Sequence, residues 1–430
     1  MGRMLSKCIS LSSSAPLLYA GHPHDYQHSG NREYLSLSKT SWVKLWVSWS
    51  ALQARVSPPT CWEQSWHQLN AAEMHDPSPG SSSPPTALAN LDRQIAAANA
   101  DGVATILTVE CSTPWWAAAG PTATVPFGHA PESPLPEDCS TDGPWAWFVG
   151  HLCARYRSGA ARNPGGPHEP APGEDTVGYD PYAGNPLGAR LTALEICDEP
   201  NVRYQPQEGV GAAVAEMIAT AEQVARETGG PALLGPGTSD AVDWTDDSAT
   251  PRGTHYAVFC ESVLRELSRW RPRHYVGWSH HNYADVRARS SDRVDKLREL
   301  LRRHSWAGDP HRWIWLTEGG FALGTPGDDS ALARAEGMQA DLIEANFGLM
   351  ARCPDIPIWT QHGVHDLATS GRKTGLCGDF NTRDGFPGPA RPAFERWAAL
   401  TPPDEDATEA FRAASGSSAP GDRVQRPEAA

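Results

Sequence analysis

A chain of 430 residues is long enough for one barrel of alternating strands and helices with insertions, or for two smaller domains. Its formal charge of −15 argues against nucleic acid as a partner, because phosphate contacts need a basic surface; no run reaches the ~18 apolar residues of a membrane span. Nine cysteines without a C-x-x-C pair argue against a zinc knuckle or a thioredoxin-like site, and Cys111 and Cys197, set in apolar runs, read as small buried hydrophobes.

In chain order, Arg3 and Lys7 precede a run that serines interrupt before Leu17, Leu18, Tyr19 and Ala20. That is a poor signal peptide, so no export signal is expected and the cytoplasm is favoured over secretion. Pro16–Ala20 is the only candidate for a first strand, with a helix around Arg32–Ser38. Val43–Val47 is the second strand. Leu88, Leu91, Ile95 and Ala98 repeat at helical spacing, stopped by Asp101-Gly102. Then come the strand Val103–Val109, a helix Trp145–Tyr156, the strand Leu191–Cys197, and a helix carrying Val210, Val214, Met217, Ala221 and Val224. Ala232–Leu234 is a short strand, Val263, Leu267 and Trp270 lie on a helix, and Tyr275–Trp278 is a strand. Ser291-Asp292 caps a helix with Val294, Leu297 and Leu301. The strand Trp313–Leu316, the helix Leu332–Met350, the strand Ile356–Trp359 and the helix Pro392–Leu400 complete the series.

Eight strands, each followed by a helix, imply a parallel sheet closed into an α/β (β/α)8 TIM barrel over residues 1–400. An open doubly wound sheet usually carries a glycine-rich phosphate turn after its first strand, and none is present. Gln53–Pro85 and Ala117–Gly143 read as long loops on the catalytic face, and Gly159–Gly188 as a Pro- and Gly-rich loop before a strand. The segment 401–430, rich in Ala, Pro, Ser, Gly and Glu, reads as a disordered tail.

Two segments carry the chemistry: Glu195-Ile196-Cys197-Asp198-Glu199-Pro200-Asn201 and Trp315-Leu316-Thr317-Glu318-Gly319-Gly320. Each ends an apolar, strand-like run in a glutamate just before a turn, after the fourth and seventh strands. Barrel active sites are built at those strand ends. Two carboxylic groups facing each other there suit glycoside hydrolysis, where one protonates the leaving oxygen and the other attacks or stabilises the sugar cation. Either glutamate alone could equally be a surface charge at a loop start.

These segments resemble a known family. Asp198-Glu199-Pro200-Asn201 is similar to the N-E-P signature of clan A glycoside hydrolases, the cellulase-like (β/α)8 superfamily, and Thr317-Glu318-Gly319-Gly320 to its T-E-x-G segment. His281-Asn282-Tyr283 resembles the H-x-Y after its sixth strand, and Val43-Lys44 with Ser48-Trp49 the V-R…S-W of its second. Trp359, Asp366 and Gly375-Leu376 resemble its closing strand and loop. The match runs from about Thr40 to Leu400. The two glutamate motifs are moderately specific; the others count through their order.

The resemblance implies a retaining enzyme acting on a β-linked oligo- or polysaccharide, with no cofactor and no metal. Glu199 would be the general acid/base and Glu318 the nucleophile. Tyr283 would hydrogen-bond the nucleophile, His281 would line the subsite or contact the acid/base, and Trp359 would floor the sugar site. Asp198 and Lys44 depart from the pattern. An ionised Asp198 can only accept where the family's Asn donates, and it sets a second negative charge beside Glu199. Lys44, counted with Asp198, His281, Tyr283 and Trp359 among the residues that would contact substrate, keeps the charge of the usual Arg without its bidentate fork. Trp115-Trp116 could stack on sugar or pack a loop. His280 reads as a structural residue, His362 and His365 could face the cleft, and Trp145 and Trp147 read as core.

Two other readings stand beside this one. A carbohydrate-binding barrel without activity is one, Asp198 marking its decay. A metal-dependent amidohydrolase is the other, with His22-Pro23-His24 after the first strand, His280 or His281 after the sixth and Asp366 after the eighth as ligands. It leaves Glu318 without a role.

Overall fold

The computed structural model describes residues 5–11, 25–53, 57–70, 87–118, 135–157, 185, 187–204, 207–240, 253–270, 275–305, 313–324, 326–366, 373–379 and 388–400. Its frame is a ring of parallel strands. They are β1 (Ser6–Ser10), β2 (Trp42–Val47), β3 (Ala104–Glu110), β4 (Ala193–Asp198), β5 (Ala232–Leu234, resumed after a break at Thr238–Ser239), β6 (Tyr275–His281), β7 (Ile314–Glu318) and β8 (Ile358–His362). Each pairs with the next, and β8 returns to β1 with Ser6 opposite Ile358 and Ser10 opposite His362. The chain is therefore a closed (β/α)8 barrel, and alternation along each strand sends one set of side chains into the lumen and the other outward under the helices.

The inward set forms its own small apolar cluster, Cys8, Trp42, Ala104, Ile106, Ala193, Leu234, Trp315 and Ile358, all from strands. The outward set, including Ile9, Val43, Leu45, Leu107, Leu194 and Ile196, merges with the helical faces into the main core. The helix Val210–Thr228 shows how the sequence builds that layer. Val210, Val214, Met217, Ile218, Ala221 and Ala225 face inward at helical spacing, and Gly229 ends the helix at φ 66°, the left-handed geometry glycine adopts without penalty.

The first strand corrects the sequence reading. It is Ser6–Ser10, which pairs with both β2 and β8; Pro16–Ala20 lies outside the described residues. Serines and a lysine concealed the strand, because a barrel strand needs only alternate apolar positions and its ends take polar ones. Lys7 points outward and is fully buried. Its ammonium donates to the carbonyls of Ser38, Trp397 (2.9 Å) and Leu400 (2.7 Å). These are carbonyls at the C-terminal ends of the helices Ser29–Leu37 and Pro392–Ala399, where cations are favoured. Lys7 thus ties the first strand to both the first and the last helix.

A second correction falls in Gln53–Pro85, expected as loop. It contains the helix Trp62–Asn70, with Trp66 and Leu69 buried. The proposed tail 401–430 and most of Gly159–Gly188 lie outside the described residues. No described helix is long and apolar enough to cross a membrane.

Lys7→Met keeps the apolar stem and removes the donor, leaving three carbonyls without it. We expect a loss of about 1–3 kcal/mol in unfolding free energy by urea titration; unchanged stability would contradict the tying role.

Candidate active site

Strand irregularities aim the two glutamates. Between β3 and β4 the register slips, so that Glu110 stands opposite Asp198 while Thr108 is opposite Glu195. The extra residue is taken up with Cys197 at φ 65°, which turns Asp198 inward. Between β6 and β7 a similar slip sets His281 opposite Glu318 after His280 opposite Leu316. Bulges re-aim side chains in this way and gather at active sites. Glu199 itself is left-handed, φ 47° and ψ 46°, a conformation costing a non-glycine residue of order 1–3 kcal/mol. It is held there by its N–H donating to Gly237 O (2.7 Å), while the Gly237 N–H donates to Cys197 O (2.9 Å). The asparagine of the Glu-Pro-Asn turn is structural: Asn201 donates to Ser239 O and Thr254 O and accepts from the Ser239 N–H.

Glu199 and Glu318 face one another. Ligand-type atoms of Glu199, His281 and Glu318 all lie within 4.8 Å of one another, so a carboxylate oxygen of each glutamate comes that close to one of the other. His281 Nδ1 sits between them, 3.1 Å from Glu199 Oε1 and 3.5 Å from Glu318 Oε2. Its Nε2 is 3.7 Å from Asp198 Oδ1. Tyr283 donates its hydroxyl to Glu318 Oε2 at 3.0 Å.

Lys44 lies below this pair with its side chain fully buried in the lumen. Its Nζ is 3.1 Å from Glu195 Oε1, 3.1 Å from Glu318 Oε1 and 3.6 Å from Asp198 Oδ1, and 4.4 Å from the centre of the Trp46 ring. Glu195 is completed by Ser279, whose hydroxyl donates to Oε2 at 2.8 Å. Lys44 was expected to touch substrate; it instead supports Glu318 from beneath.

The surroundings set the charges. Burial alone would strip Lys44 of its proton, but Glu195, Glu318 and Asp198 outweigh it and raise its pKa. Burial would push Glu318 up, yet the charges of His281, Lys44 and His362 hold its carboxyl down at about 2. His281 would be lowered by burial; Glu318 and its hydrogen bond to Glu199 overcome this and raise it to about 9. Asp198 is pushed up to about 7 by burial, opposed by Arg203 and Lys44. A metal ion would fit the spacing of these groups, but the cluster supplies its own cations.

Other residues singled out in the sequence fall elsewhere. Trp359 is corrected: on β8 it alternates outward, is fully buried, and packs against Phe347 and Trp397 with its Nε1–H donated to Asn346 Oδ1. The inward place at that strand end belongs to His362, whose ring centroid is 6.1 Å from that of Tyr283. His280 alternates outward, buried against Thr238 Oγ1 at 2.9 Å, its pKa lowered to about 3 by burial. Asp366 is engaged by Arg391 (2.6 Å) and the Gly375 N–H, and His365 is buried at the edge of the Tyr34 ring. Among the described residues Asp366 joins no metal-ligand group with His280 or His281; His22 and His24 lie outside the described residues. Trp145 is core, donating to Met217 O. Trp116 is tied to Gln53 O, while Trp115 is 53% exposed.

Two participants were missed. Glu195 was quoted only as part of a strand, though its place on the inward face follows from the alternation of Ala193 and Glu195. Arg203 was passed over. Four residues after Glu199 on the short helix Pro200–Arg203, it sets Nε 3.1 Å from Asp198 Oδ2 and Nη2 3.4 Å from Glu199 Oε2; i,i+4 spacing was the available signal.

The fold and site define a (β/α)8 barrel with a carboxylate–cation cluster at the C-terminal ends of its strands. No protein-family model matches the chain, and no curated protein matches it in sequence. Among solved structures it is similar to SrfJ from Salmonella typhimurium, at 9% identity over 94% of this chain and 76% of that one, with a TM-score of 0.51. It is also similar to the GH53 catalytic domain from Ignisphaera aggregans (13% identity, 91% and 95% covered, TM-score 0.48). A third is xylanase 10B from Thermotoga petrophila RKU-1 in complex with xylobiose (9% identity, 95% and 94% covered, TM-score 0.47). At these identities the likeness is one of fold.

A Cβ at Gly237 would lie 2.7 Å from Glu195 Oε1 and 2.9 Å from His281 Nε2. Gly237→Ala is therefore expected to cost about 1–3 kcal/mol of stability in thermal or urea unfolding; a neutral substitution would contradict the packing described. His281 gives a pH signature. Its folded pKa lies above the unfolded value, so its contribution is full below about pH 6.5 and is lost as pH rises through about 9. The stability advantage of the parent over His281→Gln should shrink over that interval by up to about 1.4 kcal/mol per unit. An advantage that stays flat or grows contradicts a charged His281.

Proposed function

We propose that this protein is a retaining glycoside hydrolase that cleaves a β-linked oligo- or polysaccharide by double displacement. One observation carries the reading: carboxylate oxygens of Glu199 and Glu318 lie within 4.8 Å of each other across the mouth of the barrel. Retaining pairs stand about 5–5.5 Å apart, whereas inverting pairs leave roughly 6.5–9.5 Å for a water.

In this reading Glu318 attacks the anomeric carbon. Its carboxylate is kept ionised by Lys44 on Oε1 and by Tyr283 and His281 on Oε2. Glu199 protonates the leaving oxygen. Once the glycosyl–Glu318 ester forms, the charge of Glu318 is gone, and His281 and Arg203 then favour an ionised Glu199. In that state it takes a proton from the incoming water, whose oxygen displaces Glu318. The protein's own groups supply every proton and charge in these steps. The identity of the sugar is set by groups around the mouth, of which exposed Trp115 and half-buried Tyr283 and His362 are described. The non-catalytic reading rests on Asp198; weighing against it, that carboxyl lies 3.6 Å from Lys44 Nζ and 3.1 Å from Arg203 Nε.

Hydrolysis across a panel of aryl glycosides and polysaccharides should fall by several orders of magnitude in Glu318→Gln, with the fold retained by circular dichroism. Ordinary rates in that variant would refute the assignment. Glu199→Ala should keep measurable turnover only on aryl glycosides with good leaving groups, and azide should rescue it as the glycosyl azide of retained configuration. Absence of rescue in a folded variant would remove Glu199 from the acid/base role.

A further inference from the structure

Glu199 is faced by His281 from β6, by Glu318 from β7, and by Arg203 from its own segment, which also holds Asp198. Lys44 from β2 reaches Asp198 and Glu318, and Glu110 at the end of β3 acts on Arg203. Among these, Arg203 is the cation that lies on the solvent side, its side chain 37% exposed, and it spans two acids: Nε to Asp198 at 3.1 Å and Nη2 to Glu199 at 3.4 Å. The Asp198 side chain is fully buried and its oxygens contact Arg203, Lys44 and His281 at ion-pair rather than hydrogen-bond geometry.

A guanidinium at that distance from an acid/base residue draws it toward the ionised form, which opposes protonation of a leaving group. A neutral side chain at position 198 would leave that pull unbalanced. A carboxylate there, on the same guanidinium, offsets it. We propose that Asp198 and Arg203 are a compensating pair of positioning residues that together set how readily Glu199 gives up its proton, Arg203 being present because position 198 is acidic. The inference rests on the acid/base role proposed for Glu199, and it makes the departure at Asp198 a working part of the site.

The test is the pH dependence of kcat/KM in Asp198→Asn, Arg203→Met and the double variant, with Arg203→Lys as a charge-keeping control. Asp198→Asn should move the basic limb down by roughly one pH unit and Arg203→Met should move it up by a similar amount. The double variant should return to within about 0.3 unit of the parent, and Arg203→Lys should stay near the parent. An Arg203→Met limb that does not move, or a double variant that matches Asp198→Asn, overturns the proposal. Should Asp198→Asn fail to fold, the contrast between Arg203→Met and Arg203→Lys decides alone. Carboxyl titration by infrared difference against Glu199→Gln reads the same shifts without turnover. Shifts seen there in a protein that cleaves no glycoside would uphold the pairing while sinking the hydrolase reading; normal turnover without the shifts would do the reverse.

Discussion

A single ammonium group in the barrel lumen organises the rest. Lys44 is carried inward by the alternation of Trp42, Lys44 and Trp46 on β2, and three carboxylates from β4 and β7 meet it there. Taking one ion of this kind out of water costs several kcal/mol, and removing one partner of such a cluster typically costs 3–5 kcal/mol, because a buried charge is left unmatched. The network is therefore a constraint more than a source of stability. It requires that Glu195, Asp198 and Glu318 stay where they are, and so fixes the two strand ends relative to each other. His281 repeats the device one layer higher, bridging Glu199, Glu318 and Asp198.

That constraint explains the irregular backbone above it. The extra residues at Cys197 and Thr317 and the left-handed Glu199 would each cost free energy in an ordinary strand end. Here they are offset by the cross-strand bonds through Gly237 and by the ion pairs they make possible. The glycines around the site follow from the same crowding. A Cβ at Gly319 would lie 2.3 Å from Asn282 Oδ1, and Gly320 sits at φ 131°, so the run after Glu318 takes the only residue that fits. On the proposed reading, this rigid frame keeps one glutamate ionised while leaving the other to cycle its proton.

Much of this was legible in the sequence for local reasons. Period-2 and period-3.6 patterns give seven of the eight strands and the major helices, and a glutamate ending an apolar run announces itself against its neighbours. Ser6–Ser10 was hidden because its outward lysine is satisfied by helix-end carbonyls, two of the three contributed from nearly 400 positions away in the chain, partners no local window contains. Trp359 was placed on the wrong side because a motif match carries no phase; counting the alternation from Ile358 would have sent it outward and His362 inward. Glu195 and Arg203 were overlooked because their importance lies in what they hold, and those partners come together only when the barrel closes.

The most direct test of the central claim, that Glu318 attacks sugar across a short gap from Glu199, is mass spectrometry of the protein after reaction with activated 2-deoxy-2-fluoroglycosides. The account predicts a stoichiometric glycosyl adduct on the peptide containing Glu318, formed more slowly in Glu199→Ala. Turnover of the parent glycosides with an adduct on another residue would contradict it, as would release of product with inverted configuration.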